Sequence, residues 1–246
     1  MATGALILFL LATFLGGLTS GVAGFAMGLV MTGICLHILM PMQTASLIAG
    51  YGFVTQGYAI WKFRDFISWK GAAPFIVGGA VGVPIGTALL TYIDPDVLRV
   101  AIGAMLMLYS VWGLSRASGH VEHENVSIDA GVGTLNGVLG GMTGLSGIII
   151  VIWCQLRNWS KDRQRGIFQP VLFSTMLMTT VSLSVAGAVT PEFIKLYLLG
   201  LPCMAAGTWV GIQLYGKLDD AAFRRIVLIL LLISGISLVV PFSWFG

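Results

Sequence analysis

Five amide side chains stand inside otherwise apolar stretches of this chain: Gln56, Asn136, Gln155, Gln169 and Gln213. Arg157 closes the stretch that holds Gln155. All ten acidic residues fall in predicted loops or at segment ends. Membrane pathways for cations and protons usually carry intramembrane carboxylates, so this pattern argues against a cation pump or antiporter and suits an anion. Amide N–H groups and the planar guanidinium fork are donors that fit a sulfonate, sulfate or carboxylate. Arg157 also has a plain reading, in which it snorkels to the interface and orients its helix. Gln56 could serve equally as an inter-helix hydrogen-bond partner. Gln169 precedes Pro170 and could instead hold bent backbone. Trp153 lies deep in its segment, where it lines a cavity or packs.

Two glycine clusters would position these groups. One is Gly16-Gly17-Leu18-Thr19-Ser20-Gly21-Val22-Ala23-Gly24-Phe25, and the other runs from Gly137 to Gly147. A shift of 120 carries Gly17, Gly21 and Gly24 onto Gly137, Gly141 and Gly144. Glycine inside a helix costs about 1 kcal/mol relative to alanine, so the clusters are expected to break their helices. Broken backbone within a membrane must face protein or a water-filled cavity, and matched breaks in two halves point to a transporter's binding site. Backbone N–H groups at Ser20, Gly21, Gly24 and Phe25, and at Thr143, Gly144 and Ser146, are the expected oxyanion donors. Gln56, Gln155 and Gln169 would add neutral donors, and Arg157 charge. The competing reading is close helix packing through small residues.

The surrounding elements follow from composition. The chain is 57% hydrophobic and 9% charged, where a soluble domain carries roughly 25% charged residues. Its apolar runs far exceed the roughly 10 residues of a barrel strand. An all-α integral membrane protein is expected. Ten apolar segments are legible: Ala5–Gly16, Phe25–Leu39, Thr44–Trp61, Gly71–Tyr92, Val97–Leu114, Ile128–Gly140, Leu145–Leu156, Gly166–Val189, Phe193–Tyr215 and Ala222–Val240. The pieces flanking each glycine cluster are shorter than a span, either a re-entrant hairpin or two tilted short helices. The first basic residue is Lys62, so the opening residues are read as part of the first membrane element rather than a secretory signal.

The chain is duplicated. Gly82-Val83-Pro84-Ile85-Gly86 matches Gly207-Thr208-Trp209-Val210-Gly211 at a shift of 125, and Asp94-Pro95-Asp96-Val97-Leu98-Arg99 matches Asp219-Asp220-Ala221-Ala222-Phe223-Arg224 at the same shift. Residues 1–114 and 128–246 are the expected repeats, joined by a cytoplasmic linker, 115–127. Basic residues swap sides between equivalent loops. Lys62, Arg64 and Lys70 face Lys195 alone. The loop His37–Gln43 has none, and its counterpart has Arg157, Lys161, Arg163 and Arg165. The positive-inside rule then turns one copy upside down relative to the other. Each repeat is a glycine-broken pair followed by three spanning helices, with both termini outside. Arg163 and Arg165 read as topology determinants. Cys35, Cys154 and Cys203 lack metal-ligand spacing. His120, Glu122, His123 and Glu124 read as a solvated loop, and no cofactor is expected.

The Gly17-x-x-Ser20-Gly21-x-x-Gly24 and Gly137-x-x-Gly140-Gly141-x-x-Gly144 segments, the Gly-x-x-x-Gly helices and the duplicated Asp-x-x-x-(Leu/Phe)-Arg loop resemble the sulfite exporter TauE/SafE family, also called the 4-toluene sulfonate uptake permease family. The usual Gly-Gly-Gly run after the break is here Gly24-Phe25-Ala26-Met27-Gly28 and Gly144-Leu145-Ser146-Gly147. The resemblance implies a multi-pass protein of the bacterial inner membrane that carries sulfur-containing anions or organic sulfonates. A secondary transporter working by alternating access is the expected function, with an anion channel as the rival and a membrane enzyme less favoured. The expected partners are a small anion, the bilayer and a second copy as a candidate homodimer, with no nucleic acid.

Overall fold

A computed structural model describes residues 3–35, 38–39, 41–89, 95–115, 125–143, 147–185 and 190–239. Among these residues the chain forms ten helices and no strand: α1 (Thr3–Ala23), α2 (Met27–Cys35), α3 (Pro41–Lys62), α4 (Trp69–Leu89), α5 (Pro95–Ser115), α6 (Val126–Thr143), α7 (Ile148–Leu156), α8 (Lys161–Val185), α9 (Pro191–Tyr215) and α10 (Asp220–Val239). Proline opens α3, α5 and α9, where its missing N–H costs nothing. Thr190 caps α9 by accepting from the Phe193 N–H at 3.1 Å. Asp219 caps α10 by accepting from Ala222 at 2.6 Å.

The bundle is apolar outside as well as inside. Val77, Leu108, Leu135, Leu198 and Ile233 are all more than half exposed, a surface suited to lipid. Gly4–Ala23 and Pro191–Tyr215 are long and apolar enough to cross a membrane by length and composition. The strongest pairings between a helix of α1–α5 and a helix of α6–α10 are α4 with α6, α1 with α9, α5 with α10 and α3 with α8. Exchanging α1–α5 for α6–α10 maps this set of pairings onto itself.

Each glycine cluster holds one interruption, near its C-terminal end rather than through its length. α1 runs unbroken to Ala23, through Gly16, Gly17 and Gly21. These glycines lie against other helices. A Cβ on Gly21 would sit 2.5 Å from the Thr208 carbonyl oxygen and 2.7 Å from the Gly211 Cα. Gly17, Gly207 and Gly211 complete a backbone-to-backbone contact between α1 and α9. Gly78, Gly82, Gly86, Gly133 and Gly137 make the matching contact between α4 and α6. The helix cost of glycine is offset because bare backbone lets two helices approach closely. The first interruption falls later, at Gly24, whose φ is 89°. Gly147, with φ 103°, immediately precedes α7. The pieces are correspondingly unequal: α1 has 21 residues and α6 has 18, while α2 and α7 have 9 each. α2 folds back on α1, bringing Met27 and Met31 against Gly16.

Candidate functional site

At the first interruption, α1 ends and its last carbonyls turn to side chains of other helices. The Gly24 N–H still bonds back to the Ser20 carbonyl at 2.8 Å. The Gly24 carbonyl accepts from Gln56 Nε2 at 2.8 Å. Arg165 Nη2 donates to the Val22 carbonyl at 2.8 Å and to the Gly21 carbonyl. A cation at a helix C-terminus is stabilised by the dipole and by unpaired carbonyls, so Arg165 caps α1. A Cβ on Gly24 would lie 2.5 Å from the Phe168 ring and 3.6 Å from Gln169 Oε1. Glycine is therefore required there both by its φ and by the approach of α8. Three residues on, α2 begins, and its first turn has N–H groups without intrahelical acceptors.

Gln169 and Arg165 stand four residues apart on α8, hence on one face of it. Side chains on a helix tilt toward its N-terminus, so Gln169 leans over the turn that carries Arg165. Each residue is 1% exposed. Neither Nε2 nor Oε1 of Gln169 has a hydrogen-bond partner, and Nε and Nη1 of Arg165 have none. Gln56, 5% exposed, leaves its Oε1 unpaired. Phe63 and Tyr215 flank the Arg165 guanidinium, with ring centroids 4.5 and 3.9 Å away.

The second interruption lies one turn further along the same helix. A Cβ on Gly147 would strike the Leu172 side chain, four residues after Phe168. Both interruptions thus pack on adjacent turns of α8. The Gly147 N–H donates to Asn136 Oδ1 at 3.1 Å, and Asn136 Nδ2 is left unpaired. Gln155 on α7 is buried with Nε2 unpaired.

The remaining expected site residues are placed as follows. Ser20 and Phe25 are buried, Phe25 within the apolar core that also holds Phe168, Leu172 and Ile148. Gly21 serves the α1–α9 contact. Thr143 is the last residue of α6. Gly144, Ser146, His37 and the histidines and glutamates of 115–127 lie outside the described residues. The main-chain N–H groups within α1 and at Gly24 are spent on helical bonds, so the available donors belong to the first turn of α2 instead. Arg157 does not stand as a bare charge. Its Nη2 meets Asp129 Oδ1 at 2.8 Å, and the two side chains are 2% and 12% exposed. Trp153 Nε1 donates to the same oxygen at 2.9 Å. The Arg157 guanidinium lies 5.0 Å from the Trp153 ring centroid and 5.1 Å from that of Trp159. Arg157 therefore forms a buried ion pair with Asp129 of α6, and Trp153 adds a hydrogen bond to the same carboxylate.

A groove of about 330 Å³ separates α3 from α9, lined by Val54, Thr55, Tyr58, Met204, Thr208 and Trp209. It adjoins the first interruption, since Thr55 precedes Gln56 and Thr208 packs on Gly21. Its walls are apolar, and it offers no charge.

Reading the residues alone missed Arg165 and Asp129. Arg165 sits in a run of basic residues, which reads as a loop. Its four-residue spacing from Gln169 was the signal that could have placed both on one helix face. Asp129 stands in the first turn of α6, and its distance of 28 residues from Arg157 gave no hint of contact.

The bundle has a lipid-suited surface and gathers buried, incompletely paired polar groups at two interrupted helices, which makes this the candidate site of a helical membrane protein. The sulfite exporter TauE/SafE family matches residues 9–238, and the chain belongs to that family. Its members are membrane transporters of sulfite and related sulfur anions, not enzymes. No curated protein and no solved structure matches the chain.

Proposed function

We propose that this protein is a secondary transporter that carries a small sulfur-containing oxyanion across the bacterial inner membrane by alternating access. The observation that carries the reading is Gln169. Its amide is buried in α8 beside the Gly24 interruption, with neither polar atom paired. An unsatisfied buried polar group costs about 1–3 kcal/mol, and a transported ligand would satisfy it. In this reading the oxyanion lies between Gln169, Gln56 and the first turn of α2, where the positive end of the helix dipole favours negative charge. Asn136 and Gln155 serve the second interruption in the same way. Arg157, held by Asp129, is assigned no ligand contact.

Residues 1–114 and 128–246 act as two inverted repeats around this site. Supporting that are the helix pairings that survive exchange of the two halves and the basic residues that change sides between equivalent loops. Rocking of one repeat against the other would expose the interruptions to each side in turn.

The test is uptake into proteoliposomes of radiolabelled sulfite and of methanesulfonate. Saturable flux is expected, with accelerated exchange when the same anion is loaded inside. Gln169→Leu should lower the rate tenfold or more while leaving thermal stability unchanged or raised. Non-saturating flux without exchange would replace the transporter by a channel. Full activity of Gln169→Leu would remove the site from this place.

A further inference from the structure

We infer that the site at the Gly24 interruption takes a singly charged oxyanion and discriminates against a doubly charged one, with Arg165 supplying the charge; this rests on the transporter reading above. Arg165 is the cation nearest that interruption, and its burial is complete enough for charge to be counted. It forms no ion pair among the described residues. Its Nη2 is engaged by the end of α1, while Nε and Nη1 have no hydrogen-bond partner. Those two groups lie on different edges of the guanidinium, each edge shared with the engaged Nη2, so each can offer a single N–H to an oxygen of a sulfonate or sulfite.

The other charges nearby have partners of their own. Arg157 is neutralised by Asp129. Asp162 accepts the Tyr215 hydroxyl at 2.7 Å, and its neighbour Lys161 carries the opposite charge and bonds the Leu218 and Tyr215 carbonyls. Asp220, at the surface, accepts from the Lys161 backbone N–H at 2.8 Å. The partial charges at the end of α1 and the start of α2 are opposite in sign and similar in size. Arg165 is the buried positive charge at this interruption that forms no ion pair among the described residues. A monoanion beside Arg165 gives a neutral buried site. A dianion leaves one negative charge without a partner in a poorly solvated place, which is strongly unfavourable. Gln56 and Gln169 supply hydrogen bonds but no second charge.

Isothermal titration of the full-length protein in nanodiscs tests this with three probes: methanesulfonate, sulfate, and sulfite across a pH series. Methanesulfonate is expected to bind at least tenfold more tightly than sulfate. Apparent affinity for total sulfite should fall as pH rises and hydrogensulfite becomes the dianion, while methanesulfonate affinity stays level. Arg165→Gln should weaken methanesulfonate at least tenfold, and Arg165→Lys should keep the preference for the monoanion. The double variant Asp129→Asn/Arg157→Gln should keep it too.

Equal or tighter binding of sulfate by the unaltered protein overturns the inference and leaves the transport reading standing. So does a folded Arg165→Gln protein that binds methanesulfonate normally. Should Arg165→Gln fail to fold, the selectivity of the unaltered protein and of Arg165→Lys decides. If no sulfur oxyanion binds the folded protein at all, the transport reading falls and this inference with it.

Discussion

Gly24 meets two demands in one residue. Its φ of 89° is a left-handed conformation, and the Phe168 ring occupies the place a side chain would take. An alanine there would suffer backbone strain of about 1–2 kcal/mol and overpacking of about 1–3 kcal/mol. Gly24→Ala is therefore expected to lower thermal stability in detergent measurably and to displace the carbonyl that Gln56 holds. The Asp129–Arg157 pair tests a different kind of burial. Removing one partner strands a charge, and Asp129→Ala is expected to cost about 3–5 kcal/mol. Replacing both with apolar residues of similar size should be close to neutral by the same reasoning. Thermal denaturation of the three variants checks this. Equal losses for the single and double variants would mean that the pair is not the unit of stability. Neither residue's role could be read from the chain, because burial and pairing are properties of the neighbours.

For helices, the contest is between two uses of glycine. The same residue type breaks a helix at Gly24 and joins two helices at Gly21 and Gly82. What separates them is whether another backbone lies opposite. A Cβ on Gly82 would collide with the Thr134 carbonyl, and one on Gly133 with that of Phe75. Gly131, on the same helix as Gly133, has nothing within 4 Å of the place its Cβ would occupy. Gly133→Ala is expected to destabilise the α4–α6 contact, whereas Gly131→Ala should be neutral or stabilising by about 0.5–1 kcal/mol through helix propensity. Denaturation midpoints of the two alanine variants distinguish them, and the reverse order would show that α6 does not pack as described. Bulky replacements at Gly21 report on α1–α9 packing rather than on ligand contact, so the proposed site is better probed at Gln169 and Arg165.

Across the whole molecule, the proposed inverted repeats make a prediction about the arrangement in the membrane. Of the thirteen basic residues, all but Arg99 and Lys195 fall in loops or at helix ends that the proposed topology places on the cytoplasmic side. Lys62→Cys and Arg224→Cys are both expected to react with a membrane-impermeant thiol reagent only from the cytoplasmic side, measured in a background lacking the native cysteines. Labelling from opposite sides would end the inverted-repeat reading. Rocking between repeats also predicts that Tyr51 on α3, whose hydroxyl donates to the Leu196 and Tyr197 carbonyls of α9 at 3.0 Å, holds helices of different repeats together. Tyr51→Phe removes both bonds and should loosen that contact, with a loss of about 1 kcal/mol.

The amino-acid sequence alone was enough to place the chain in a membrane and to count its apolar segments. Those features rest on composition and spacing along one dimension, which hydropathy reports directly. It also marked the glycine-rich stretches, but not which glycine ends a helix. Gly24 and Gly21 differ in what lies across from them, Phe168 in one case and the backbone of α9 in the other, and that is decided only when α8 and α9 come to rest. The same holds for charge. Arg157 and Arg165 look alike in a basic run, yet folding brings Asp129 to the first and leaves the second beside open-ended backbone, because neutralisation depends on distance in space and not on position along the chain.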